Sequence, residues 1–299
     1  MVKKDPELRS QFDMTFNLPR PLRRHSIVQA LLATKFITPE QLISFNENAK
    51  AFVDLNDPEP RNIFLKSVFE PEFFVIAKTF LGKYGIFFDL GANIGFCSFG
   101  LVPDRPESSY HLFEANPYLI NLLERSIELH PHQKFFLKHA CISDRAGTTR
   151  FQLTPNQTGQ SHVAIKKDEG IEISNLALDD YCSALNLDSV DFAKIDIEGQ
   201  ELPALHGWKK CLSAHKTKAV YIEIMPENQA RYGYETNAPL VFLESLGYRL
   251  FLCKPDDFGT FGSTPENHTF ADGVLPLSEF RAEDYPSSFA TDVLALAKK

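Results

Sequence analysis

Phe87-Phe88-Asp89-Leu90-Gly91-Ala92-Asn93-Ile94-Gly95-Phe96 is the stretch whose reading decides how this chain folds. The run Gly85-Ile86-Phe87-Phe88 is apolar without alternation, the pattern of a short strand buried on both faces. An acid ends the run, and Gly91 and Gly95 follow at four-residue spacing. Glycines there let the backbone turn tightly and approach a ligand closely. Cys97-Ser98-Phe99-Gly100-Leu101 is apolar enough to open a helix packed on the sheet. A strand, a glycine turn and a helix start make a nucleotide-type site at the C-terminal edge of a parallel sheet. Asp89 refines that reading, because a negative charge at the strand end repels a pyrophosphate and suits a cationic ligand with an amino group.

Two phosphate-binding patterns fail here. The dinucleotide fingerprint G-x-G-x-x-G needs a second glycine where Asn93 stands, and no G-x-x-x-x-G-K-[ST] loop occurs. The pattern D-x-G-x-x-x-G instead resembles the first motif of class I S-adenosylmethionine (SAM) methyltransferases. SAM carries a sulfonium, an ammonium and a carboxylate but no phosphate. The competing reading is a structural strand-to-helix turn in another α/β protein.

From Gly85 onward strands and helices alternate, as in a parallel sheet with helical crossovers. Strands are expected at 109–113, 134–142, 190–195, 219–224 and, last, 248–253. Extra strands at 150–154 and 171–178 flank a polar loop at 156–161. Helices are expected at 117–129, capped by Asn116, and at 201–208 and 239–246. The first part of the chain reads differently. Thr38-Pro39-Glu40-Gln41 has the form of a helix start, and Leu42, Ile43, Phe45, Ala49, Phe52 and Val53 follow near helical spacing, up to Asn56-Asp57-Pro58-Glu59-Pro60. A second helix is expected at 72–81. Residues 1–80 are therefore read as an N-terminal helical extension, a cap over the site or a dimerisation arm, and residues 81–299 as the sheet domain.

Glu114 ends the second strand, 25 positions after Asp89. An acid there is placed to accept ribose hydroxyl hydrogens, as in Rossmann-like sites; the other reading is an acid at a helix start, favoured by the dipole. In Val190-Asp191-Phe192-Ala193-Lys194-Ile195-Asp196-Ile197-Glu198-Gly199-Gln200-Glu201, the side chains of Lys194, Asp196 and Glu198 share one face of an extended strand. Three ionisable groups on one face of a buried strand are costly unless paired. At the carboxyl edge of a sheet they point to function, against the alternative of a structural ion-pair network.

Taken together, Phe88 to Gly95, Phe113-Glu114-Ala115-Asn116-Pro117 and Asp191 to Glu201 resemble the FkbM family of SAM-dependent methyltransferases. The Leu178-Asp179-Asp180-Tyr181 turn, Tyr221-Ile222-Glu223-Ile224 and the Thr291-Asp292-Val293-Leu294-Ala295 ending are similar as well. The likeness runs from about Gly85 to the C-terminus. It implies a class I methyltransferase, Rossmann-like α/β sheet of about seven strands with helices on both faces. It also implies SAM as the donor and O-methylation of a hydroxyl on a sugar, glycan or natural product. By that resemblance Asp89, Gly91, Asn93 and Gly95 cradle the methionine part, and Glu114, with Asn116 beside it, takes the ribose. His139, Ala140 and Cys141 border the adenine, and Asp196 lies beside the methyl group and the acceptor.

Composition narrows the partners. Hydrophobic residues make up 43% of 299, enough for a sizeable core. The 26 Phe against one Trp and 9 Tyr point to buried aromatic packing rather than to a binding platform. A net charge of -8 and the lack of a long basic run argue against nucleic acid and anionic membrane surfaces. The basic patch Pro19-Arg20-Pro21-Leu22-Arg23-Arg24-His25 is short and reads as a solvated surface or a docking patch. No stretch has the length of a membrane span, and Met1 to Glu7 lead into no apolar signal core. The expectation is a soluble cytoplasmic protein acting on a small-molecule or glycan acceptor, with a homodimer open. Cys97, Cys141, Cys182, Cys211 and Cys253 are scattered and form no C-x-x-C pair, so reduced thiols are expected rather than zinc or disulfides. The sequons at Asn156 and Asn267 carry no weight without a secretory signal.

Methyl transfer from a sulfonium is an in-line displacement, so the protein has mainly to align donor and acceptor. An alcohol is a poor nucleophile near neutral pH and gains from a base. The candidates are Asp196, then Glu198 or His162, with Lys194 positioning a carboxylate; Asp196 orienting the SAM amine is the alternative. Asp196, Glu198 and Glu223 offer oxygens to Mg²⁺, but no compact ligand motif demands a metal and none is expected. The rival functions are a nucleotide-dependent oxidoreductase, disfavoured by the missing fingerprint, and a non-catalytic scaffold, disfavoured because every motif residue is present.

Overall fold

The computed structural model describes residues 25–166, 168–271 and 273–298. Residues 1–7, the basic patch before His25 and Asp272 lie outside them. The N-terminal segment comprises α1 (His25–Ala33), β1 (Glu40–Phe45), β2 (Ala49–Asp54), α2 (Pro58–Lys66) and α3 (Pro71–Phe80). Then β3 (Ile86–Leu90), α4 (Phe96–Leu101), β4 (Ser109–Glu114), α5 (Pro117–Glu128) and β5 (Lys134–His139) alternate. A small sheet follows, built from β6 (Cys141–Ile142), β7 (Gly147–Gln152), β8 (His162–Val163) and β9 (Ile171–Leu176). Alternation resumes with α6 (Leu178–Ala184), β10 (Val190–Ile195), α7 (Glu201–His206), α8 (Lys209–Ser213), β11 (Thr217–Ile224), α9 (Pro226–Arg231), α10 (Ala238–Ser245) and β12 (Tyr248–Leu252). The chain closes with β13 (Glu266–Phe270), β14 (Gly273–Phe280) and β15 (Thr291–Ala297).

The main sheet runs β13-β14-β12-β15-β11-β10-β3-β4-β5. The pairs among β11, β10, β3, β4 and β5 are parallel, whereas β15 is antiparallel to both β11 and β12. Seven strands from β5 to β12 meet the sequence expectation, and the hairpin β13–β14 widens the sheet to nine. Tyr248–Leu252 is therefore not the last strand, because the apolar run after Thr291 returns between β11 and β12.

Side chains alternate between two cores, as the period of a strand requires. Phe87, Phe192 and Tyr221 face one core with the hairpin β1–β2, α3, α4 and α5. Phe88, Ala193, Val220 and Ile222 face the other, with α6, α7 and α10. Phe73 of α3 lies 5.9 Å from the Phe192 ring on the first side, and Trp208 stacks on Phe88 at 5.6 Å on the second. Helices thus cover both faces, which is why β3 opens as a continuous apolar run and β10 is buried along its whole length.

The N-terminal helix expected at 38–53 is a β-hairpin. Gln41, Ile43 and Phe45 are buried in alternation along β1, as are Ala49, Ala51 and Val53 along β2. Asn46 and Glu47 turn the chain at φ 42° and 68°, a left-handed pair that ends a helix and suits a hairpin. The same apolar positions fit periods of 2 and 3.6 over so short a span, and packing decided between them. Phe52 N–H donates to Ser126 Oγ of α5 at 2.8 Å, and the Arg125 guanidinium lies 4.1 Å from the Phe52 ring. The segment is thus a hairpin among helices. The strand expected at 134–142 is also broken: it leaves the main sheet at Ala140, and β6 joins the small sheet. Among the described residues no helix is long and apolar enough to cross a membrane.

Candidate functional site

The carboxyl ends of β3, β4, β10 and β11 form the floor of a cavity of about 450 Å³, with Ala140 to Ile142 on one wall. That volume suits a small-molecule ligand. The opposite side comes from the N-terminal segment, through Asp57, Pro58 and Glu59 at the start of α2 and Phe69 and Glu70 before α3. The loop Gln157 to Ser161 covers a third side.

The glycine turn is required by its neighbours. Gly91 has φ +76°, and a Cβ there would lie 1.8 Å from the carbonyl oxygen of Asp196. Only glycine lets the end of β3 come this close to the end of β10. Asp196 N–H also donates to Leu90 O at 3.1 Å, which fixes the approach. Gly95, at φ +80°, has Phe99 and Leu123 where a Cβ would stand, so it packs α4 on α5 and does not line the cavity.

Asp89 does not reach the cavity either. It is 1% exposed and accepts a hydrogen bond from Ser98 Oγ at 2.6 Å. Burial pushes its carboxyl up, and the ammonium of Lys194, its partner in register on β10, opposes that shift. Glu114 does line the cavity. Its oxygens accept from the N–H groups of Asn93 and Asn116, each at 2.7 Å, and burial pushes its carboxyl up to about 7 against those bonds. Asn93 N–H thus ties the turn to the end of β4, while Asn93 itself borders the cavity at φ +51°. Asn116 lies behind Glu114 and caps α5 by accepting from Tyr118 N–H at 3.1 Å. Ala140 and Cys141 face the cavity, but His139 is exposed, its Nε2 3.1 Å from Ala115 O.

Lys194, Asp196 and Glu198 all line the cavity, though not as one face of a strand. The strand ends at Ile195, and Glu198 sits beyond it at φ +58°. Lys194 Nζ pairs with Asp196 Oδ2 at 2.7 Å. Burial pulls the Lys194 ammonium down, but the carboxylates of Asp196, Glu70 and Asp89 outweigh it and hold the group charged. Glu198 accepts from Asn228 Nδ2 at 2.8 Å, and burial, then Asp196, pushes its carboxyl up to about 7. The bend after β10 is held by Glu201, whose Oε1 accepts from the N–H groups of Ile197 and Gly199, both at 3.2 Å. His162 does not line the cavity; its Nδ1 lies 2.9 Å from Gln160 O, which removes it from the candidate bases. Among the described residues no group of three or more His, Cys, Asp or Glu side chains is arranged to hold a metal ion.

Asp57, Glu59 and Glu70 had no signal in the sequence, since nothing local marks an acid that later faces a cavity, and of Thr158 the sequence showed only that it lies in the polar loop 156–161. Asp57 joins two walls. Its Oδ1 caps α2 by accepting from Glu59 N–H at 3.1 Å, and its Oδ2 accepts from Thr158 N–H at 2.8 Å. The Thr158 hydroxyl lies between Asp57 Oδ2 at 2.7 Å and Asn93 Oδ1 at 3.2 Å. Asp57→Ala is expected to lose about 1–2 kcal/mol of stability in urea unfolding, from a cap and two strap bonds. It should also speed ligand release from the cavity in stopped-flow measurements.

The chain is 24% identical over 172 residues to the 2-O-methyltransferase NoeI of Sinorhizobium fredii (strain NBRC 101917 / NGR234), covering 52% of this chain and 68% of that protein. The precorrin-6y C5,15-methyltransferase structure from Geobacter metallireducens aligns at TM-score 0.40 and 13% identity, covering 76% of this chain and 87% of that one. The M. capricolum TrmK structure with S-adenosyl-homocysteine aligns at TM-score 0.37 and 13% identity, covering 73% and 70%. These structural likenesses are too low to carry an argument. The methyltransferase FkbM domain matches residues 89–250, more than half of the chain, from the glycine turn through the last crossover helix. This protein therefore belongs to the FkbM methyltransferase family, and its methyl donor is SAM.

Proposed function

We propose that the protein methylates a hydroxyl of a sugar, glycan or related natural product. The carrying observation is the group of carboxylates, Asp196, Glu198 and Glu223, that converges where the turn meets the ends of β10 and β11. Carboxylates accept hydrogen bonds from hydroxyls and take up protons, the two things an alcohol acceptor needs. The 2-O-methyltransferase among the relatives supports an oxygen acceptor.

SAM supplies a methyl group already activated on a sulfonium, and the carboxylate-rich cavity fits that cation and the adjoining ammonium. In this reading Gly91 and Asn93 cradle the methionine part, and Glu114 accepts the ribose hydroxyls on lone pairs left free by the backbone amides. Ala140 and Cys141 border the adenine. Asp89, Gly95 and Asn116 act from behind, through Lys194 and Ser98, the packing of α4 and the position of Glu114. Asp196 lies beside the methyl group and the acceptor, oriented by Lys194. The segment 57–70 forms a cap that shapes the acceptor half through Glu59 and Glu70.

Incubation with methyl-labelled SAM and fractionated cell extracts should place label on a carbohydrate or small-molecule fraction, stable to mild base as an ether. Label confined to protein or nucleic acid, or to a base-labile ester, would sink the proposal. Glu114→Ala is expected to weaken SAM binding by about 10–100-fold in calorimetry, the loss of hydrogen bonds to a charged acceptor. Unchanged affinity would remove Glu114 from the cofactor site.

A further inference from the structure

Around the end of β10 the carboxylates divide into partnered and unpartnered. Asp196 pairs with Lys194, and Glu198 accepts from Asn228. Asp292, beside Glu223 in register on β15, pairs with Lys254 and accepts from the Tyr221 hydroxyl at 3.0 Å. Glu223 stands between them at the end of β11, half-buried, and lines the cavity. Its side chain has no hydrogen bond or ion pair with any described residue. A carboxylate set between two others, without a cation of its own, holds a proton until a positive charge arrives.

We propose that Glu223 is the catalytic base, a group that gives up its proton when the sulfonium of SAM enters the cavity and takes the acceptor's proton when the sulfonium is lost. The inference rests on the cofactor placement proposed above. In the step itself the O–CH₃ bond forms as the S–CH₃ bond breaks, the bonding pair stays on sulfur, and the hydroxyl proton passes to the Glu223 carboxylate. Charge balances, because one cation and one anion disappear together.

The surroundings give the sign. Asp196 first, then burial and Asp292, then Glu198, push the Glu223 carboxyl well up, and Lys194 opposes them. A raised carboxyl is protonated in the free enzyme at neutral pH. Binding a cation beside it expels that proton, so SAM binding is favoured as pH rises. S-adenosylhomocysteine carries no sulfonium and expels no such proton.

Calorimetric titration in buffers of different ionisation enthalpy reads this without an acceptor. Wild-type protein is expected to release more protons on binding SAM than on binding S-adenosylhomocysteine. The affinity ratio in favour of SAM should rise with pH, by up to about tenfold per unit for one linked proton. In Glu223→Gln the proton difference should fall by more than half, while Glu198→Gln retains most of it. An equal proton release for the two ligands in the wild type would overturn the proposal whether or not the variant folds. So would a difference untouched by Glu223→Gln. If neither ligand binds, or if Glu114→Ala binds both as well as wild type, the cofactor placement itself falls, and this inference with it.

Discussion

Gly91→Ala is expected to abolish measurable SAM binding and to lower the thermal midpoint by several degrees. A Cβ at this position would stand 1.8 Å from Asp196 O, a backbone atom that cannot rotate away. The left-handed backbone at φ +76° adds roughly 1–2 kcal/mol for any residue with a Cβ. Relief requires β3 and β10 to separate at their carboxyl ends, which breaks the Asp196 N–H bond to Leu90 O and moves Asp196 itself. The proposed cofactor cradle and the Asp196 carboxylate are thus displaced together by one methyl group. Calorimetric SAM titration and a thermal melt check both parts. A variant that binds SAM normally would show that the turn and β10 do not need to touch.

Asp196→Ala is expected to lower turnover by at least about 100-fold, the lower range for loss of a group acting on the proton or its orientation. It should also destabilise the fold, because Lys194 has only 10% of its side chain exposed and loses its nearest counter-charge. Removing one partner of a buried pair costs about 3–5 kcal/mol. Asp196 is 31% exposed and Asp89 and Glu70 remain near Lys194, so about 3 kcal/mol is expected by urea unfolding. The double variant Lys194→Met with Asp196→Leu separates the two effects. Its stability should return toward wild type, since a hydrophobic pair can replace a buried ion pair, while turnover stays low. Recovery of both would reduce Asp196 to a structural role.

The floor of the site was legible because its elements are local. The apolar run of β3, the charged end of β10, the Asn116 cap and the two glycines are each set by residues within one turn or strand. What failed failed for want of length or of neighbours. The stretch 38–53 satisfied both periods, and Ser126 of a helix far along the chain, with the left-handed Asn46 and Glu47, settled it as a hairpin. His139 was assigned to the adenine edge by its place at the end of the third strand, yet its ring turns out to solvent while Ala140 and Cys141 face in. Asp89 was read as facing the ligand, and the pairing of β3 with β10 turned it toward Lys194 and Ser98 instead.

By itself the sequence determined the family, the alternation of strands and helices from Gly85 to Leu252 and the chemical type of the floor, because those follow from periodicity, glycine placement and acids at strand ends. The tertiary structure decided which of those acids meet the cavity and which stay behind it. It also brought Asp57, Glu59 and Glu70 over the site and left the Glu223 carboxylate, among the described residues, without a hydrogen-bond or ion-pair partner between Asp196 and Asp292. Those relations join residues distant along the chain, and a carboxylate's role depends on which charges stand beside it, which only the packed sheet and its cap bring about.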